Sequence, residues 1–349
     1  MRVRKVAILG ASGLVAQRFQ QRLANHPWFE LVAVYGSPRT EGTELEELEW
    51  HLPEPRPYLP SMEIRSMDSL MADVGDFEVV FSALPSEVAI TVEKPLAKAG
   101  LFVFSNASTH RMDDEVPLIV ADLNPHHLLP LCLEDPADGF LACSTNCTVV
   151  PAALPLKPLW DFIGLDRVTI STDQSLSGGG IELLTNYRET GEYPTDIPGE
   201  AEKIHEECLS LLGRTQAKGV MLANLPVEIS VRRVEREYGH IVNVEAELHI
   251  EKGTEEIREW MENYRSRPQA LELPSAPPSP FIFVDELIPE SIGNPAEDLK
   301  TGMAVRINEF SVSGKIVSFR AWSANTIRGA AGGTVLLAEL ALAEGLLGE

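Results

Sequence analysis

The opening of the chain leaves few folds available to it. Lys5 to Leu9 is a short buried-strand stretch that runs into Gly10-Ala-Ser-Gly13-Leu-Val-Ala16, and a helical pattern follows from Gln17 to Asn25. Strand, glycine turn and helix in that order make the start of a Rossmann dinucleotide-binding unit. Gly10 permits the tight turn, Gly13 lets backbone approach a pyrophosphate, and Ala16 stands where a small residue allows close helix–strand packing. Ser12, Leu14 and Val15 complete the set of candidate cofactor contacts in this loop. The second strand, Leu31 to Tyr35, leads into Gly36-Ser37-Pro38-Arg39-Thr40. A NAD site usually carries an acid there for the ribose 2′-hydroxyl. Ser37, Thr40 and the Arg39 guanidinium are instead the set expected for a 2′-phosphate, so the cofactor expected is NADP.

The alternation continues. Glu41 to Pro60 is acidic and then proline-rich, a surface loop with at most a short helix. Strands are expected at Glu78 to Ser82 and Leu101 to Ser105, with a helix over Glu87 to Ala99 between them. That fits a doubly wound parallel sheet, whose ligand loops lie at the carboxyl ends of its strands. Ser82, Ser86 and Ser105-Asn106-Ala107-Ser108 fall at such ends, and Arg111 just beyond is a candidate cation for an anionic substrate.

A second strand–turn–helix carries a nucleophile. Gly139-Phe-Leu-Ala-Cys-Ser-Thr-Asn-Cys-Thr148 precedes an apolar helical run from Val149 to Leu159. Cys147 is thereby placed near a helix N-terminus, where free N–H groups and the helix dipole favour a thiolate and offer donors to a developing oxyanion. Asn146 adds a side-chain donor. The competing reading is a small buried apolar residue, the common fate of a cysteine.

A chain of 349 residues suggests two domains. A formal net charge of −23 argues against nucleic acid or an anionic membrane as partner. Cys132, Cys143, Cys147 and Cys208 form no C-x-x-C pair and no zinc pattern, and read as reduced thiols of a cytoplasmic protein. No signal peptide is expected, and the apolar run from Thr334 to Leu347 is broken by Glu339 and Glu344, as in a packed helix.

Beyond the Cys147 helix the texture changes. Arg167 to Asp173 alternates like a strand and enters a flexible Gln174-Ser-Leu-Ser-Gly-Gly-Gly180 loop. Glu200 to Leu212 is a charged amphipathic helix. Val220 to Arg233 and His240 to Glu251 suggest a half-exposed antiparallel sheet, with further strands at Ala304 to Phe310 and Lys315 to Trp322. Ser266 to Pro295 reads as proline-rich connection, and Asn325 to Leu347 as a closing helix of small residues. His126-His127 reads as a helix start, and His205-Glu206-Glu207-Cys208 as a solvated helix face rather than a metal site.

Taken in order, these residues resemble the aspartate-β-semialdehyde dehydrogenases, most closely the archaeal and fungal branch. The motifs are G-A-S-G at Gly10 to Gly13, F-S-A-L-P-S at Phe81 to Ser86, S-N-A-S-x-x-R-M at Ser105 to Met112 and N-C-T at Asn146 to Thr148. L-K-P-L at Leu156 to Leu159, Q-x-x-S-G-x-G at Gln174 to Gly180 and E-x-x-K at Glu200 to Lys203 follow. R-V-x-x-x-x-G-H at Arg233 to His240 and N-T-x-R-G-A-A-G-G at Asn325 to Gly333 complete the set.

The resemblance implies reversible reduction of β-aspartyl phosphate by NADPH to aspartate semialdehyde and phosphate, in the biosynthesis of lysine, threonine and methionine. It makes Cys147 the nucleophile that forms a thioester, His240 the acid/base and Gln174 an orienting group. It sets Arg233 on the substrate α-carboxylate and Glu200 on the α-ammonium group. Lys203 and Arg111, assisted by Asn106, form the phosphate pocket, and Asn325, with Gly178, lies at the nicotinamide. It also implies a homodimer or homotetramer. Residues 1–146 and 323–349 are expected to form the cofactor domain, and 147–322 a mixed or antiparallel catalytic and dimerisation domain.

The chain departs from the family pattern at Glu235 and Arg236, where R-V-P-V is frequent, and at Thr145, where a proline precedes Asn-Cys. Rival readings are an acyl reductase on the same scaffold, acting on malonyl-CoA or N-acetylglutamyl phosphate, and a non-catalytic cofactor-binding homologue. Glu200 separates the first, since only a free α-ammonium needs it. The intact set of Cys147, Gln174, Arg233 and His240 argues against the second.

Overall fold

The structure is a computed structural model, and it describes residues 2–128, 139–216, 219–288 and 301–348. Cys132 lies outside these segments. Strand β1 (Arg4–Leu9) shows why a parallel sheet forms: Val6, Ala7, Ile8 and Leu9 are all wholly buried, so both faces of the strand are covered. Around it lie β2 (Phe29–Gly36), β3 (Arg65–Ser66), β4 (Val79–Ser82), β5 (Phe102–Ser105), β6 (Leu118–Ile119) and β7 (Phe140–Ser144). They form one seven-stranded sheet of order β3-β2-β1-β4-β5-β7-β6, with every recorded pairing parallel. Helix α1 (Leu14–Leu23) follows β1, and α2 (Ser86–Lys98) joins β4 to β5. The strand order reverses between β1 and β4, and a doubly wound sheet opens its ligand crevice at that point.

The chain leaves this sheet through helix α3 (Val149–Phe162), whose Val149, Ala153, Leu154, Leu156 and Leu159 share one apolar core with Val168, Ile170, Val242, Val244, Val317 and Phe319. Leu154 and Leu156 have no exposed surface, so truncating either to alanine would cost about 2–5 kcal/mol. The second sheet comprises β8 (Leu165–Gln174), β11 (Val227–Arg233), β12 (His240–Leu248), β13 (Phe281–Phe283), β14 (Val305–Ser313) and β15 (Ile316–Ser323), in the order β11-β8-β12-β15-β14-β13. A small hairpin of β9 (Arg214–Thr215) and β10 (Val220–Met221) stands apart from it. Helices α4 (Gly180–Thr190), α5 (Glu200–Leu211), α6 (Thr254–Glu262) and α7 (Arg267–Ala270) fill the connections. Helix α8 (Gly332–Ala343) returns to the first sheet, where Val335, Leu337, Ala338 and Ala341 pack with Ile8, Val34, Phe81 and Phe104.

The second sheet is mixed, the first of the two forms expected: β11 runs parallel to β8 and β13 parallel to β14, whereas side-chain alternation reports half-burial and carries no strand direction. Two expectations are corrected. The described part of the proline-rich connection contains α7 and β13. The closing helix is interrupted: Ile327–Ala331 is π-helical with a kink at Ala330 before α8 begins. The kink lies next to Gly329, where a side-chain carbon would come within 2.6 Å of Cys147 Cβ.

Candidate active site

The cofactor end is built from backbone. Gly10 holds φ +93°, and a side chain there would lie 2.7 Å from the Ala83 carbonyl oxygen across the β1–β4 crevice. Helix α1 starts at Gly13 with no side-chain cap and no acid in its first turn, so its N–H groups are open to an anion. Ser12 is exposed, Val15 half-buried and Leu14 buried. At the end of β2, Ser37 and Arg39 are exposed and Thr40 half-buried, with no acid from Gly36 to Thr40. Ser82 is buried at the end of β4, and Ser86 Oγ lies 3.0 Å from Ser108 Oγ. These groups fit a phosphorylated dinucleotide.

The reacting pair comes from two elements. Cys147 sits in the turn between β7 and α3, and its Sγ lies 3.1 Å from Nε2 of His240, the first residue of β12. His240 has no exposed surface. Its Nδ1 accepts the Ser175 backbone N–H at 3.0 Å, which places the proton of the neutral ring on Nε2, facing the sulfur. Ser175 Oγ, 3.2 Å from the same Nδ1, is ready to accept when the ring takes a second proton. In both states Nε2–H points at the reacting atoms.

Burial, then Arg236 and Arg233, depresses His240 to about 3. Burial, then the Glu200 carboxylate, pushes the Cys147 thiol up to about 12 against the pull of Arg111. The expectation of a favoured thiolate is therefore corrected for the ligand-free protein, because burial outweighs the helix terminus.

Around this pair, Asn146 Nδ2 donates to Glu200 Oε1 at 2.8 Å, and Gln174 Nε2 reaches the same oxygen at 3.3 Å. Asn146 Oδ1 accepts from Thr148 N at 2.8 Å and closes the turn that carries the thiol. Arg233 Nη1 donates to the Ser175 carbonyl at 3.0 Å. Arg111 donates to Asn106 O at 2.8 Å and to Glu207 Oε1 at 3.0 Å. Nε of Arg111, Nε of Arg233 and Nδ2 of Asn106 are buried without a hydrogen-bond acceptor, three donors suited to an anionic ligand.

The remaining candidates fall around this cluster. Asn325 Oδ1 accepts from Gly239 N at 2.8 Å, and its Nδ2 donates to Ser177 Oγ at 3.0 Å. Gly178 abuts His240: a side-chain carbon there would come within 2.9 Å of Cε1. Lys203 is exposed, and no ion pair forms between it and Glu200, whose carboxylate is taken by Asn146 and Gln174.

Residues 5–130 match the family model described as semialdehyde dehydrogenase, NAD binding domain. The aspartate-semialdehyde dehydrogenase of Methanothermobacter thermautotrophicus is 37% identical over 96% of this chain and 98% of its own length. The chain belongs to the aspartate-semialdehyde dehydrogenase family. The crystal structure of aspartate semialdehyde dehydrogenase with NADP from Candida albicans superposes with a TM-score of 0.82 at 27% identity, covering 99% of each chain. A malonyl CoA reductase (NADP) of Metallosphaera sedula is 30% identical over 99% of both chains.

Within this family framework, three groups were not legible as site residues. Ser175 sets the tautomer through a backbone N–H that any residue supplies. Gly329 is needed for close approach to Cys147, and its sequence signal is its place in the Asn325 to Gly333 motif, which does not say what it touches. Glu207, read as part of a solvated face, is buried and accepts from Arg111, Thr145 Oγ1 at 2.7 Å and Asn146 N at 2.6 Å. Cys208 beside it is buried as well. Among the described residues no group of three or more His, Cys, Asp or Glu side chains could hold a metal ion. No described helix is long and apolar enough to cross a membrane.

Proposed function

We propose that this chain catalyses the reversible, NADP-dependent conversion of β-aspartyl phosphate into aspartate semialdehyde and phosphate through a thioester on Cys147, a step of lysine, threonine and methionine biosynthesis in the cytoplasm. The observation that carries the reading is the Cys147 Sγ–His240 Nε2 pair at 3.1 Å, ringed by Glu200, Arg233 and Arg111. That ring offers one carboxylate for an ammonium group and two guanidinium groups for a carboxylate and a phosphate. NADP, held by Gly10 to Val15, Ser37, Arg39, Thr40, Ser82, Ser86, Gly178 and Asn325, supplies the hydride chemistry when bound.

The protein's own steps follow from the geometry. Once the ring proton has moved to Nδ1, where Ser175 Oγ accepts it, Nε2 takes the thiol proton and the pair becomes a thiolate beside an imidazolium. The thiolate attacks the carbonyl carbon, and Nε2–H donates to the oxyanion that forms there. The same nitrogen recovers the proton as the tetrahedral species collapses, the carbon–oxygen bond to phosphate breaks, and the thioester on Cys147 is left with free phosphate. Both free-state shifts oppose the ion pair, and Glu200 is the largest charge raising the thiol. A substrate ammonium seated on Glu200 neutralises that charge, so the bound substrate promotes the thiolate that attacks it. Gln174 and Asn146 hold Glu200 for this contact; Arg233 takes the α-carboxylate, and Arg111 with Asn106 the phosphate. Lys203, exposed one turn along α5 from Glu200, is the second cation this reading gives to the phosphate.

The domain division is proposed as 1–146 with 323–349, and 147–322. Pairing of two copies is proposed on the second sheet's open face, where Ser171, Asn243, Glu245 and Arg320 line a cleft; light scattering at native molecular mass tests it. The catalytic reading is tested with L-aspartate semialdehyde, phosphate and NADP, following nicotinamide reduction. Phosphate-dependent turnover, lost in Cys147→Ala and slower with NAD, is expected. Reduction of malonyl-CoA in place of that reaction would transfer the assignment to the thioester reductases.

A further inference from the structure

Helix α5 places Glu200 and Glu207 seven residues apart, two turns along one face and about 10 Å apart along the axis. Both carboxylates grip the residue before the nucleophile. Glu200 Oε1 takes the Asn146 side chain at 2.8 Å, and Glu207 Oε2 takes its backbone N–H at 2.6 Å. Glu207 Oε2 also accepts the Thr145 hydroxyl at 2.7 Å, while Oε1 accepts from Arg111 at 3.0 Å. Glu207 is 2% exposed, so these donors meet no competition from water. A proline at position 145 would supply no hydroxyl; threonine there gives this chain an added hold on the turn.

We propose that Glu207 is a positioning residue which, on the reading of the reaction given above, ties the phosphate-binding Arg111 and the turn carrying Cys147 into one rigid unit. Its two oxygens face different partners: Oε1 fixes the guanidinium, and Oε2 fixes the 145–146 backbone. The arrangement leaves Arg111 Nε buried and without an acceptor, the donor a phosphate oxygen would take. A purely structural ion pair would contribute stability alone. A positioning role ties phosphate affinity and turnover to this one carboxylate.

The test uses the full-length enzyme and reads KM for phosphate and for aspartate semialdehyde separately. Glutamine offers one acceptor oxygen where the carboxylate offers two, so Glu207→Gln breaks one arm whichever way it turns. Phosphate KM is expected to rise about tenfold and kcat to fall about tenfold, with the aldehyde KM within about twofold of native. Thr145→Val removes one donor to Oε2 and spares Arg111; kcat is expected to fall about threefold with phosphate KM unchanged. Arg111→Lys combined with Glu207→Gln is expected to cost less than the product of the single effects.

A folded Glu207→Gln with native phosphate KM and kcat overturns the proposal alone. So does an equal rise in both KM values, the mark of a general loosening. Should Glu207→Gln fail to fold, Thr145→Val decides: native kcat overturns the coupling, and a kcat loss at constant phosphate KM supports it. A native enzyme without phosphate-dependent turnover overturns the reading of the reaction and this proposal with it.

Discussion

Three buried histidines in this molecule, His26, His127 and His240, accept at Nδ1 and turn Nε2 toward a partner, and the last two make the sharper comparison. His127 closes a short 3-10 turn, where its Nδ1 lies 3.1 Å from Asn124 Nδ2 and its Nε2 3.2 Å from the Gly213 carbonyl. His240 has its Nδ1 on the Ser175 amide and its Nε2 on Cys147 Sγ. Each ring accepts at Nδ1 and carries its proton on Nε2. Burial drives both down from the ordinary 6.5, to about 4 for His127 and about 3 for His240. What differs is the atom facing Nε2–H. A peptide oxygen only accepts, so His127 is a strut between the 3-10 turn and the loop before β9. A sulfur also gives up a proton, which Nε2 can take when the ring proton shifts to Nδ1 and Ser175 Oγ, so His240 sits where a proton changes hands.

Removing the atom that distinguishes them should have the largest effect. Cys147→Ala is expected to lower turnover by at least about a thousandfold while leaving the fold intact. Next, His240→Asn is expected to cost about 10²–10⁴ in kcat. His127→Ala should leave kcat within about twofold and instead lower unfolding free energy by about 1–3 kcal/mol in urea titrations. A His127 variant that is stable but loses turnover would break the contrast between strut and proton carrier.

A finer separation comes from the charge beside the thiol. In Glu200→Gln the carboxylate that raises Cys147 is gone, so the iodoacetamide alkylation profile of the ligand-free enzyme should move to lower pH. Catalysis should fall at the same time, because the substrate ammonium loses its partner. An unmoved alkylation profile would falsify the role given to Glu200 in holding the thiol protonated until substrate arrives.

The two histidines also show what a sequence makes legible. Local patterns were readable: strand, Gly10 turn and α1; strand, Cys147 turn and α3; the helical turn at Pro125-His126-His127. Each depends on residues close in the chain, where turn chemistry and apolar period speak directly. Partners from remote segments were not. Nothing near His240 announces that Ser175 will take its Nδ1, or that Arg236, through bonds to the Gly239 and Asp173 carbonyls, will pin the turn before it. The Glu206-Glu207 pair reads as solvated because charge is the signal and the buried partner, Arg111, lies almost a hundred residues away. The thiol shift was equally invisible: the helix terminus is written in the sequence, whereas the burial that outweighs it arises only when β8, β12 and α5 close over the turn.

The smallest effect expected is also the one that treats both histidines alike. A histidine whose folded pKa lies below its unfolded value stays neutral in the folded chain while the unfolded chain binds a proton. Unfolding then takes up protons, so stability falls as pH drops from about 6.5, by up to about 1.4 kcal/mol per pH unit for each group. The window runs to about 4 for His127 and about 3 for His240, and above 6.5 neither contributes. Carboxylates titrate in the same range, and the chain carries 52 Asp and Glu residues, so the parent curve alone does not isolate the histidines. The difference between parent and variant does. His127→Gln keeps an N–H for Gly213 and is neutral at every pH, so the parent-minus-variant stability should shrink steadily between pH 6 and pH 4. A difference that is flat across that interval would mean that His127 is protonated in the folded chain, and the tautomer it shares with His240 would no longer hold for it.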